Sequence, residues 1–130
     1  MKKQADSWLQ SAYSDLSVIE EIVEREDLSH MVAFHSQQVI EKCFKAVLEE
    51  FEIELQRTHN IIVLSNKVID VLDITVDETL IKQLNDLYID SRYPTDIGFL
   101  PDGKPTIEVA KRFYRYAKQI FNEIANQMNT

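Results

Sequence analysis

Tyr88, Arg92 and Tyr93 place a guanidinium among phenol rings just ahead of Pro94. That combination suits a nucleotide: a guanidinium holds a phosphate through two parallel hydrogen bonds, and an aromatic ring stacks on a base. Proline drives the residue before it towards extended backbone, so Tyr93 is expected at the edge of a loop. The competing account pairs Arg92 with Asp86 or Asp90 and packs the tyrosines as plugs at a helix end.

Three further groups carry polar chemistry. His35, Gln38, Lys42, Lys45 and Glu49 recur at i, i+3, i+7, i+10 and i+14, which aligns them along one face of a helix, opposite its core line. They form either a ligand-facing row, with Lys42 and Lys45 as its cations, or a solvated polar face supported by a Lys45–Glu49 pair. Ser36 and Gln37 project into the apolar arc of the same helix, where a polar group needs a partner. A subunit interface beside a shared cleft would supply one, and so would a satisfied network inside the core. Arg57-Thr58-His59 falls where a helix starts, and the free backbone N–H groups of a helix start attract anions. Arg57 and His59 would add to such a phosphate site, although a helix cap flanked by solvated side chains accounts for them equally well. Three histidines and the single Cys43 show no zinc spacing, so neither a metal nor a cofactor is expected.

Composition narrows the class of partner. The chain has 130 residues, 45% of them apolar, and a formal net charge of -8. A broad basic face for coating duplex nucleic acid is therefore excluded. The N-terminus runs into an amphipathic pattern rather than an apolar leader, and no segment approaches the roughly 20 apolar residues that cross a bilayer. A cytoplasmic protein without membrane contact is expected.

All Gly and Pro residues (Pro94, Gly98, Pro101, Gly103 and Pro105) lie within 94–105. These are the strongest breakers of regular structure, so the rest of the chain is free to form long helices with short joints. Apolar spacing predicts helices over about 4–25, 29–54, 58–72, 76–91 and 106–127, with a Gly/Pro-rich loop over 94–105. Thr58 is the expected cap of the third helix, and Thr75-Val76-Asp77-Glu78 has the spacing of a capping box for the fourth. The expected fold is all-α, a single domain over 1–130 built as an up-and-down bundle of about five helices with a four-helix-bundle-like core. The apolar arc of the second helix exceeds half its circumference, so a second copy of the chain could be needed to cover it. Four of the 14 basic residues and only two of the 22 acidic ones fall in 106–130, and Lys111, Arg115 and Lys118 share a face there. This stripe could take a few phosphates or pair with Glu20, Glu21 or Glu24.

Three segments are similar to a known family. The stretch from Phe34 to Leu48, with His35, Gln37, Gln38, Glu41, Lys42, Lys45 and Ala46, resembles the H-x-Q-Q-x-x-E-K-x-x-K-A signature of the HEPN domain family (higher eukaryotes and prokaryotes nucleotide-binding). Arg57-Thr58-His59-Asn60-Ile61 is similar to the turn that follows it in that family, and Ser91-Arg92-Tyr93-Pro94 resembles a late R-Y-P element. Trp8 and Asp15-Leu16 also fit, so the similarity spans about 8–125. The resemblance implies a helical bundle that forms a homodimer. It further implies nucleotide or RNA binding alongside a minimal nucleotidyltransferase in a toxin–antitoxin or defence module. Many members are metal-independent ribonucleases with an R-x(4–6)-H motif, the histidine moving a proton and the arginine stabilising charge at phosphorus. After Arg92 the corresponding positions hold Ile97, Gly98 and Phe99, and the formal match Arg25–His30 lies between the first two helices. A ribonuclease would need a variant constellation drawn from His35, His59 and Arg92. A non-catalytic adaptor modified by its partner, with Tyr93 as a tyrosine open to nucleotidylation, is the remaining alternative.

Overall fold

The structure, a computed structural model, describes the chain apart from residues 55–56, 88–96, 101–102 and 130. Among the described residues five α-helices form the bundle: α1 (Lys3–Ile22), α2 (Ser29–Glu50), α3 (Ile61–Val68), α4 (Glu78–Asp86) and α5 (Ile107–Met128). A 3-10 turn over Glu26–Leu28 joins the first two. Among the described residues there is no strand, only an isolated bridge between Leu100 and Gly103. Among the described residues no helix is long and apolar enough to cross a membrane.

The helices form where the apolar spacing places them. Ala5, Leu9, Ala12, Leu16 and Ile19 make the buried stripe of α1, and Ala110, Phe113, Ala117, Ile120 and Ile124 make that of α5. Between them α2 is the central element, with Val39, Ile40, Cys43, Phe44, Ala46, Val47 and Leu48 fully buried. It packs against α1, α5, α3 and α4. The wide apolar arc of α2 is thus covered by its own chain, and the need for a second copy to cover it falls away.

Several boundaries differ from those the sequence predicts: α1 ends at Ile22 rather than 25, α3 at Val68 rather than 72, and α4 runs from Glu78 to Asp86 rather than over 76–91; two further differences have a clear local cause. The second helix stops at Glu50 rather than 54 because Glu52 adopts a left-handed φ of 55°. The Ile53 N–H then bonds back to the Leu48 carbonyl at 2.9 Å, a reversal that closes the helix end. The third helix begins at Ile61, not next to Thr58. Asn60 takes the cap, its Oδ1 accepting from Ile62 N at 3.0 Å and Val63 N at 3.1 Å. Asparagine outranks threonine as a cap, and Thr58 is left to accept from the Asn60 N–H. At α4 the cap is Asp77, whose carboxylate receives Leu80 N. Ahead of α5, Ser29 ties the start of α2 to the Pro105 carbonyl at 2.7 Å.

Candidate functional site

Asp15 occupies a position on the buried stripe of α1, between Ala12 and Ile19. A carboxylate there costs several kcal/mol unless it is paired. Two groups on α2 supply the pairing: His35 Nδ1–H donates to Oδ1 at 2.8 Å and Lys42 Nζ to Oδ2 at 2.7 Å. Burial pushes the Asp15 carboxyl up, but the bonds and charges of His35 and Lys42 outweigh it and hold the group below the ordinary carboxylate range.

One turn further along α2 a second cluster repeats the theme. Glu41 is 3% exposed, yet its carboxylate receives Lys45 Nζ at 2.9 Å and His59 Nδ1 at 3.0 and 3.1 Å. Gln37 Nε2 donates to the same carboxylate at 3.2 Å, and Gln38 Nε2 donates to Gln37 Oε1 at 2.7 Å. Lys45 also lies 5.3 Å from the centre of the Trp8 ring, so α1 covers its charge with an aromatic face.

These contacts overturn the expected polar row. His35, Lys42 and Lys45 do not stand opposite the core but are turned against α1. Lys45 pairs with Glu41 rather than Glu49. With each bonded to a carboxylate, Lys42 and Lys45 hold the helices together. Ser36 and Gln37 are corrected in the same way. Both are buried inside the single chain rather than at a subunit surface. Ser36 Oγ donates to the Val32 carbonyl at 2.7 Å, and Gln37 belongs to the Glu41 network.

The backbone N–H groups at the start of α3 are also occupied. The N–H of Asn60 is taken by Thr58, those of Ile62 and Val63 by Asn60, and that of Ile61 by Asn85 Oδ1 at 3.0 Å. None of the backbone donors from Asn60 to Val63 remains for a phosphate. What the turn does present is side chains. Arg57 is exposed and has no ion-pair partner among the described residues, and His59 is exposed with its Nδ1 fixed on Glu41. Tyr88, Arg92 and Tyr93 lie outside the described residues. The chain up to them is described as far as Leu87, two positions beyond Asn85, so the end of α4 is fixed beside the entry to α3.

Asp15 and Glu41 enter the sequence reading only through the family resemblance, without their partners, and the bridging amide of Asn85 is missed altogether. An acidic residue inside the apolar stripe of α1 was a signal for Asp15. No pattern in the sequence pointed to Asn85. Of the basic stripe on α5, Lys111 pairs with Glu24 at 2.9 Å, as one of the two expectations had it, and Lys118 lies 5.8 Å from the Tyr114 ring centre. No group of three His, Cys, Asp or Glu converges for a metal among the described residues.

Comparison with known proteins gives two findings. The family model described as "HEPN domain" matches residues 5–127. A crystal structure of an archaeal HEPN homologue superposes with a TM-score of 0.71, covering 97% of this chain and 98% of its own at 24% identity. That likeness concerns the fold. No curated protein sequence matches the chain.

Proposed function

The chain belongs to the HEPN domain family, and from this premise we propose that it binds a nucleotide or RNA phosphate where α3 begins and α4 ends. The Asn85–Ile61 hydrogen bond carries this proposal. It fixes the end of α4 against the turn that presents Arg57 and His59, and Arg92 follows only five positions after Leu87. Two arginines would supply planar, bidentate phosphate recognition, and Tyr88 and Tyr93 would supply the stacking surface for a base. In an acidic protein such a localised cationic end favours a short anionic segment over a long duplex. We further propose that the protein acts as a homodimer together with a minimal nucleotidyltransferase in a toxin–antitoxin or defence module. Titration of a short single-stranded RNA against wild type, Arg57→Ala and Arg92→Ala tests the binding. At least a tenfold loss in each variant is expected, whereas equal affinity in all three proteins rejects it. Co-expression with a minimal nucleotidyltransferase, followed by purification of the intact complex, tests the partnership.

A metal-independent ribonuclease is a second reading, favoured by the Asp15–His35 contact. A carboxylate on Nδ1 fixes the tautomer and leaves Nε2 as the acceptor for a 2′-hydroxyl proton. Nε2 of His35 has no hydrogen-bond partner among the described residues. Cleavage of RNA in EDTA that vanishes in His35→Ala would support this reading, and inert wild-type protein would dismiss it.

A further inference from the structure

At the opposite end of α4 from Asn85, the N-terminal turn of that helix and the outer face of α5 enclose a concavity of about 310 Å³ lined by Thr75, Asp77, Leu80, Arg112, Arg115, Tyr116 and Gln119. Arg112 and Arg115 are three positions apart on α5, so their side chains rise from the same strip of helix surface. Both are exposed, and neither has a carboxylate within ion-pair distance among the described residues. Several other cations are held inside the fold or on neighbouring carboxylates: Lys111 meets Glu24, Arg25 meets Asp27, and Lys42 and Lys45 meet Asp15 and Glu41. Two unpaired guanidiniums side by side repel each other, in a protein whose net charge is -8. Asp77 is the acidic group of the concavity, and its Oδ1 already accepts from Leu80 N at 3.0 Å. The floor is rigid because the Asp77 N–H donates to the buried Tyr116 hydroxyl at 2.9 Å.

We propose that this concavity is a binding site for the polyphosphate of a small nucleotide, with Arg112 and Arg115 clamping the phosphates and Gln119 and Thr75 donating from the rim. Two forked, planar donors suit adjacent phosphoryl groups, each of which can accept two parallel hydrogen bonds. The volume is at the lower limit for a small-ligand pocket. It favours a compact polyanion over an RNA strand, which would need a longer basic track than two arginines flanked by Asp73, Asp77 and Glu78. This site is separate from the one proposed at Arg57 and Arg92, since nine residues of α4 lie between them.

Calorimetric titration of the full chain with sodium pyrophosphate and with ATP tests the assignment, using Arg112→Gln/Arg115→Gln and, separately, Arg57→Ala/Arg92→Ala. Both arginines of the first pair are exposed and unpaired, so the double variant is expected to fold, which its helical circular dichroism checks. The expected result is a saturable site for both ligands that weakens at least tenfold in Arg112→Gln/Arg115→Gln and persists in Arg57→Ala/Arg92→Ala. Absence of saturable binding to wild type overturns the proposal, as does binding that Arg112→Gln/Arg115→Gln retains in full. A single-stranded RNA that depends on Arg112 and Arg115 while pyrophosphate and ATP do not bind overturns it too, by assigning the arginines to a polymer.

Discussion

Glu41 and His59 belong to different elements, yet the carboxylate of the first receives Nδ1 of the second through both oxygens, at 3.0 and 3.1 Å. The middle of α2 therefore holds the turn into α3 in place. Since the same carboxylate also takes Lys45 and Gln37, Glu41 is the joint at which α1, α2 and the α3 turn meet.

Removing that joint should be costly. Glu41→Ala strands Lys45, which is only 8% exposed, and is expected to lower stability by about 3 kcal/mol, the usual penalty for breaking one side of a buried ion pair. Urea unfolding of the variant beside Lys45→Met checks this. The methionine variant should lose less once Glu41 is also made Gln, because the two changes together remove both charges.

Acid should act through Asp15. Its carboxyl sits below the ordinary value in the folded chain, since His35 and Lys42 outweigh the effect of burial. A depressed folded value means stability that is present above the unfolded value of about 4 and is lost as pH falls through the folded one. Asp15→Asn is expected to be less stable than wild type at pH 7, with the gap narrowing below about pH 4 as the wild-type carboxyl gains its proton. Unfolding curves at pH 7, 5, 4 and 3 measure the gap, and a gap that stays constant with pH would contradict the role given to Asp15.

Gly98 should resist substitution where Gly103 does not. Gly98 has φ +79° and packs so closely that an added Cβ would stand 1.9 Å from the His30 carbonyl oxygen. Gly103 has φ +121° with nothing within 4 Å. Gly98→Ala is expected to cost about 3 kcal/mol or more from strain plus forced movement of backbone, against about 1–2 kcal/mol for Gly103→Ala from strain alone. Thermal denaturation of the two variants side by side gives the ordering.

Cys43 should be chemically silent. It is fully buried, and burial pushes its thiol far above the usual range, with the nearby Asp15 charge adding to the effect. A thiol reagent is expected to react with one equivalent in denaturant and with almost none under native conditions. Rapid labelling of the folded protein would show that α2 opens more readily than its packing implies.

The bundle itself was readable because period-3.6 apolar spacing reports burial directly. Leu9, Phe44, Phe113 and Ile120 all fell on stripes that the structure buries. Helix ends were less readable, because they turn on local competition. Asn60 displaced Thr58 as the cap, and Glu52 closed α2 with a left-handed residue that is not glycine. The polar chemistry was least readable. A helical wheel shows which face Lys42 and Lys45 occupy but not that Asp15 and Glu41 wait to receive them. A cation bonded inside the fold and one offered to a ligand look alike in sequence, which is why the expected binding row became a structural seam while Arg57, Arg112 and Arg115 kept their charges exposed.

RNA phosphate is proposed to be held by the arginines where α3 begins and α4 ends, and not by the lysines of α2. Affinity for a short single-stranded RNA, measured by fluorescence anisotropy for wild type, Arg92→Ala and Lys42→Met, tests this most directly. Arg92→Ala is predicted to bind at least tenfold more weakly, while Lys42→Met keeps wild-type affinity despite a lower unfolding midpoint. Loss of binding in folded Lys42→Met with full affinity in Arg92→Ala would contradict it.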